Sequence, residues 1–293
     1  LSMLLTNDAG STFYRSLYGS FYYNETGILR GAHVGNSTDL AAAISRPIPF
    51  YTGDRFSYNV NAPRQKVKHW MIKTELKKQI NESFRIALDG AVQINQRQEY
   101  DIRRGGRDSL PALDLSLYNG WADAYLQWEQ AEKWRLLLGL QPRFTHNSNI
   151  AGTGIYPLIP NYTLLNPAVY ISYWVKWKNI DWEAGGRLEG YDLRVSYLDR
   201  LGQLNQPHRN DANHAYSLGL SKELGSRWQI KSNLSWLIRA AQVHELYSNG
   251  LHQGLAALEL GNDSLGKEKS LKWSNDIRWQ AGEESQVSVS LYY

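Results

Sequence analysis

Seven histidines, at positions 33, 69, 146, 208, 214, 244 and 252, are the side chains in this 293-residue sequence with the broadest chemistry to offer. No two sit four residues apart, as a pair of metal ligands on one helix face would. The sequence has no cysteine, so thiolate metal sites, thiol nucleophiles and disulfides are excluded. His33, His146, His208 and His252 fall in long polar stretches, where an imidazole could meet a metal ion, haem or a metal chelate, or simply be a solvated loop residue. Arg85, Arg97, Arg143, Arg187, Arg194 and Arg239 are expected on one polar, inner face together with Asp89, Glu183 and Glu189. Such guanidinium groups could guide an anionic chelate, or pair with the carboxylates and hold whatever fills the space beside them. Gly152-Thr153-Gly154 lacks the strand-loop-helix surroundings of a phosphate loop. No Gly-x-Ser-x-Gly elbow occurs, so nothing points to a nucleophilic enzyme, and no catalytic residue or cofactor is assigned.

The elements that must position these residues alternate with period two, the period of strands. Trp134, Leu136, Leu138 and Leu140 form one apolar row, Val169, Ile171, Tyr173, Val175 and Trp177 another, and Trp228, Ile230, Leu234, Trp236 and Ile238 a third. Phe84, Ile86, Leu88, Val92 and Ile94 alternate with Arg85, Asp89, Gln93, Asn95 and Arg97, and the C-terminal row is Val287, Val289, Leu291 and Tyr293. Several rows run for about ten residues, longer than the usual strand of about 5–6. Tilted by about 40°, ten residues span roughly 25 Å, the height of a bilayer's apolar band. About eleven strands are expected.

The connections alternate in length. Short turns fall at 80–83, 130–133, 179–181, 224–226 and 281–285, and long polar connections at 25–64, 101–115, 146–167, 199–213 and 247–269. Long loops at one end and tight turns at the other are the pattern of an antiparallel transmembrane β-barrel, with turns toward the periplasm and loops outside. Trp128, Trp134, Trp177, Trp182, Trp228 and Trp279 flank the short turns, as an interfacial girdle would. Ser37 to Arg46, within the first long connection, has the capping residues and helix formers of a short surface helix.

Composition is compatible with this and decides little. A mean hydropathy of -0.50 looks soluble, but a barrel wall averages apolar and polar faces. Tyrosine and tryptophan (19 and 11) outnumber phenylalanine (6), which suits both membrane interfaces and sugar-binding surfaces. The formal net charge of +4 is dispersed, which argues against nucleic acid. No segment reads as a signal peptide or spanning helix. The longest uncharged run, Phe144 to Val175, is interrupted by Pro157, Pro160 and Pro167.

One segment carries a family resemblance. Arg239-Ala-Ala-Gln-Val-His-Glu245-Leu246-Tyr247-Ser248-Asn-Gly250-Leu-His252, followed by Gly261-Asn262-Asp-Ser-Leu265-Gly-Lys-Glu268-Lys-Ser270, resembles the barrel of TonB-dependent receptors. It departs at Ala241 and Gly266, where that family often has proline. Stretches at 63–69, 93–101, 111–115 and 152–162 resemble receptors of this family from Bacteroidetes. The resemblance covers the chain from about Tyr14 onward. It implies a barrel of about 22 strands around an N-terminal plug, so the 293 residues are expected to be about half of that wall, without the plug. It also implies an outer-membrane location among lipids. The expected activity is uptake of a scarce small molecule or metal complex, driven by the TonB-ExbB-ExbD complex acting through the plug. An iron-siderophore, haem or other metal complex is the expected cargo, with glycan or peptide uptake, a passive porin and a soluble carbohydrate-binding β-protein as alternatives.

Overall fold

A computed structural model describes residues 1–7, 12–28, 37–48, 58–102, 106–199, 201–252 and 257–293. The chain opens with β1 (Ser2–Asn7) and β2 (Phe13–Gly27), then a helix α1 (Ser37–Ser45), β3 (Arg64–Asn81), β4 (Phe84–Tyr100) and β5 (Leu113–Gln130). Next come β6 (Trp134–Leu140), β7 (Arg143–Asn149), β8 (Asn161–Asn166), β9 (Ala168–Trp177), β10 (Ile180–Leu198), β11 (Leu204–Asn205), β12 (His208–Leu224) and β13 (Trp228–Arg239). A short helix α2 (Val243–Tyr247), the hairpin β14 (Asn249–His252) and β15 (Ala257–Leu260), then β16 (Glu268–Gln280) and β17 (Gln286–Tyr292) complete it. All wall strands pair antiparallel with their sequence neighbours in one sheet, whose described edges are β1 and β17. The expected helix at Ser37 to Arg46 is α1.

β6 and β7 continue one line, as do β8 and β9, so the described wall has twelve strands rather than about eleven. The extra strand is β1, which lacks an apolar alternation long enough to read. Proline causes both interruptions. Gln141 and Ala168 exchange backbone hydrogen bonds (2.7 and 3.1 Å), so Pro142 and Pro167 face each other at the next position of one unbroken register. Their carbonyls accept from Ala122 (3.1 Å) and Gly190 (2.8 Å) on the flanking strands, but neither proline can donate in return. At Gly190 the missing donor is replaced: the buried Asn166 amide Nδ2 donates to its carbonyl at 3.1 Å. A Cβ on Gly190 would come within 3.2 Å of the Pro167 ring, so the position suits glycine.

Following the register from strand to strand sorts every side chain to one of two faces. Ile72, Leu88, Leu126, Leu138, Ile171, Leu188, Leu218, Leu234, Ile277 and Val289 share the outer face. Nothing covers it among the described residues: Ile72 is 63% and Val92 62% exposed. An apolar surface of this extent is stable against lipid and not against water. The packed second layer that a soluble sugar-binding sheet needs is absent from the described residues.

All six turn-flanking tryptophans lie on that outer face, as a girdle requires. Trp128 meets Trp134 edge-on (5.2 Å) and Trp228 stacks on Trp279 (5.5 Å) across neighbouring strands. A second belt, not apparent from the sequence, runs nearer the long connections through Phe21, Trp70, Tyr118 and Trp236. About ten residues, or roughly 25 Å after tilt, separate Trp128 from Tyr118, matching the apolar band.

The turns expected from sequence are present. Lys178 and Asn179 both have positive φ (52° and 56°), which makes the two-residue connection between β9 and β10 a type I′ hairpin. Four of the five long connections are shorter than expected because the ladders outrun the apolar rows, whereas the last, between β13 and β16, is longer and runs from 240 to 267. His146 lies in β7 and His208 opens β12, so neither is in a loop, while His252 closes β14, a hairpin strand inside the long connection between β13 and β16. Beyond the band both faces are polar, and alternation stops before pairing does.

Asn166→Ala leaves the half-buried Gly190 carbonyl without its donor and is expected to cost about 1–3 kcal/mol. In a Pro167→Ala background, where a backbone N–H returns, the same change should cost much less. A double-mutant cycle on the unfolding midpoint in detergent checks this, and equal costs in the two backgrounds would refute the donor replacement.

Candidate functional site

The inner face is polar along most of its length, and two features organise it. Near the tight turns it carries cross-strand rows of charge, with Glu75, Asp89 and Asp123 side by side on β3, β4 and β5. Asp123 accepts from the Tyr170 hydroxyl (2.7 Å) and the Gln141 amide (3.3 Å). Higher up the row is neutral: the Gln93 amide donates to Asn119 (3.4 Å) and Asn119 to the Thr145 hydroxyl (2.8 Å). Trp121 and Arg143, directly opposite each other on β5 and β7, lie beside this amide track.

The second feature is the connection after β13, which folds back over the inner face of β10. Tyr191, Leu193 and Val195 of β10 pack there against Ala240, Ala241, Val243 and Leu246, the main hydrophobic cluster among the described residues. Leu193 is 0% and Leu246 2% exposed. The Tyr191 hydroxyl donates to the Ala241 carbonyl (2.9 Å), and Tyr162, Tyr197 and Tyr247 surround the cluster.

The motif that carries the family resemblance is the clasp for this fold-back. Arg239 donates with both terminal nitrogens to Glu245 (3.0 Å each) and also pairs with Glu268. Glu245 in turn accepts from the Gln242 backbone N–H (2.7 Å), which closes a capping box around α2. Arg239 first, and then that N–H, hold the Glu245 carboxyl down to about 2. Gly261 donates to the Ser248 carbonyl (2.7 Å) and Asn262 to that of Glu245 (2.9 Å). A Cβ on Gly261 would lie 2.5 Å from backbone atoms of Leu246 and Tyr247, so no other residue fits without moving the backbone. Gly250 pairs with Glu259 beside Leu158, and the Leu265 carbonyl accepts from Arg209 (3.1 Å). Tyr247 lies 6.2 Å from Tyr197, ring to ring.

The structure does not gather the four histidines and six arginines singled out from the sequence into a cluster. His33 and the side chain of His252 lie outside the described residues. His146 faces outward, 2.9 Å from the Thr163 hydroxyl and beside Tyr118. His208 also faces outward, where Asp192 meets both it (3.3 Å) and Arg194 (3.2 Å). The register thereby moves Arg194 off the inner face on which sequence reasoning had put it. Arg97 pairs with Glu99, Arg187 with Glu189 (2.7 Å) and Arg239 with Glu245. Arg143 and Arg85 face inward with no ion-pair partner among the described residues, Arg85 donating instead to the Gln79 side chain at 2.8 Å. No group of three or more His, Asp or Glu with metal-binding geometry occurs among the described residues. Sequence reasoning missed Trp121, Asn119 and Gln93 as a set. The signal was available, since they occupy inner positions of strands whose outer positions are apolar, but only the register shows that they adjoin.

Residues 4–293 fit the family model described as TonB dependent receptor-like, beta-barrel. No curated protein matches the sequence. Solved structures share the fold at low identity. One is the ferric-catecholate import receptor Fiu from E. coli K12 (9% identity, TM-score 0.66), with 99% of this chain and 50% of that one covered. Another is the ferric yersiniabactin uptake receptor FyuA from Yersinia pestis (12%, TM-score 0.64, 99% and 43%). The copper transporter OprC is a third (10%, TM-score 0.68, 99% and 43%). The chain thus spans about half the length of these structures.

The clasp has a definite pH signature. The Glu245 carboxyl is depressed in the folded state, so its contribution is complete above its ordinary value of 4.5 and is lost as pH falls toward about 2. Amide hydrogen exchange across 240–252 and 257–262 should therefore stay slow at pH 5 and accelerate between about pH 4 and 2. Glu245→Gln should remove that transition, and Gly261→Ala should loosen the same amides at every pH, at a cost of about 1–3 kcal/mol.

Proposed function

Because this chain belongs to the TonB-dependent receptor β-barrel family, a family of the bacterial outer membrane, we propose that it forms part of the wall of a receptor that actively imports a scarce nutrient, most directly an iron-siderophore, haem or other metal complex. The observation that carries this reading is the family match along nearly the whole chain. Arg143 supports the anionic-chelate version, as an inward-facing guanidinium free of carboxylate partners among the described residues. The fold relatives, a ferric-catecholate import receptor, a ferric yersiniabactin uptake receptor and a copper transporter, point the same way.

In this reading a plug domain beyond these 293 residues fills the space bounded by the inner face, and the TonB-ExbB-ExbD complex supplies the energy through it. The wall contributes a rigid polar lining, and the fold-back clasped by Arg239 and Glu245 narrows the path at the end that carries the long connections. No catalytic step is assigned. Glycan or peptide uptake is the second reading, favoured by Trp121 beside the Gln93, Asn119 and Thr145 track. Aromatic rings flanked by amides suit sugar or peptide faces.

A deletion strain separates these cargo classes. Impaired growth under limitation for iron, haem, zinc or copper is expected, and unchanged growth under all four, with loss of growth on a glycan or peptide source, would reject the metal-complex version. Uptake should stop when the proton-motive force is dissipated, and persistence would indicate a passive porin. Arg143→Gln should lower chelate uptake about tenfold at low ligand concentration without altering barrel assembly.

A further inference from the structure

The outer face carries one concentrated patch of charge. Arg64, Lys66 and Lys68 occupy consecutive outward positions of β3, directly above Trp70 in the upper aromatic belt, where Trp70 lies 5.2 Å from Phe21. One carboxylate faces them from β2. Glu25 meets Arg64 at 3.4 Å and Lys66 at 3.3 Å while accepting the Tyr23 hydroxyl at 2.9 Å. Tyr100 of β4 braces the guanidinium from the other side, with its ring centre 4.3 Å from Arg64 Cζ. Lys68 is exposed and has no carboxylate partner among the described residues. Three cations against one anion leave a local excess of positive charge.

Among the described residues no other outward position at this height matches it. Arg194 and His208 share Asp192 on β10, and Lys269 on β16 stands alone. Neutral amides flank the patch instead: Gln96 lies opposite Lys68 and Gln98 opposite Lys66. Asp114, on the next strand, is engaged by the Gln98 amide at 2.8 Å.

The belt places this patch at the boundary between hydrocarbon and headgroups, on the side of the long connections. Cations fixed at that height face the phosphates of the outer leaflet, where each is worth a fewfold in affinity. The Gln96 amide, and the Tyr23 hydroxyl as an acceptor, are open to sugar hydroxyls, which a simple phospholipid headgroup would leave unused. We propose that the outward face of β2 to β4 above Trp70 is a binding site for a phosphorylated glycolipid of the outer leaflet, with Lys66 and Lys68 holding its phosphates and Arg64, tied to Glu25, Tyr100 and the Val60 carbonyl, anchoring the patch. The site faces away from the transport path, so it stands or falls independently of the cargo.

The test uses the natural full-length protein extracted from outer membranes and bis-phosphorylated lipid A as the probe, with retention read by native mass spectrometry. Wild type should retain lipid A and lose it when the lipid is enzymatically dephosphorylated. Lys66→Gln with Lys68→Gln should weaken retention by about thirtyfold, at roughly fivefold per cation. Lys68→Arg should hold it near wild type, and Lys269→Gln should leave it unchanged. Equal retention of the dephosphorylated lipid, or a loss below about fivefold in the double variant, would overturn the site. Displacement of lipid A by inorganic phosphate at equal concentration would overturn it in favour of a free-phosphate site. The dephosphorylated-lipid arm needs no variant, so it decides the matter even if the double variant fails to assemble.

Discussion

Inside a bilayer a backbone N–H or C=O without a partner costs several kcal/mol, and the rest of this structure follows from satisfying that constraint. A continuous antiparallel ladder does so and sends alternate side chains to opposite faces, so one face must suit lipid while the other is free to be polar. The paired prolines show how strictly the rule holds. At Gly190, where Pro167 withholds a donor, the Asn166 side chain replaces it, and glycine makes room for the ring. The tryptophans, the apolar band and the charged patch above Trp70 are then assigned their heights by the membrane itself.

On the inner face the same alternation provides a scaffold rather than a finished site. Carboxylates already hold Arg97, Arg187 and Arg239, so the positive charge at these three positions serves the structure. The clasp around α2 is the clearest case. Its motif residues touch one another and the wall, and they fix a fold-back whose apolar side buries Leu193 and Leu246. Recurrence of such a motif in a family is explained by folding alone, without any contact to cargo.

The sequence made the wall legible because lipid demands an unbroken apolar row on one face, and period-two rows such as Trp228 to Ile238 are hard to mistake. It made the turn-end girdle legible for the same reason. It was poor at strand ends. His146 and His208 read as loop residues because both faces turn polar above the band, although the ladder continues through them. It was also poor at faces. Arg194 seemed to belong with the inner arginines, and only the register with β12 shows it facing outward beside Asp192. Contacts such as Gln93 with Asn119 join residues far apart in the chain, and no local pattern encodes them.

The central claim is that one face of each strand meets lipid and the other does not. The absence of cysteine allows single cysteines to be placed freely and spin-labelled one at a time along Trp228–Arg239 in the membrane-embedded protein. Collision with dissolved oxygen, which concentrates in lipid, should peak at Ile230, Ser232, Leu234 and Trp236 and fall at Gln229, Lys231, Asn233 and Ser235. A flat profile, or one in which a water-soluble relaxant reaches both sets equally, would contradict the account.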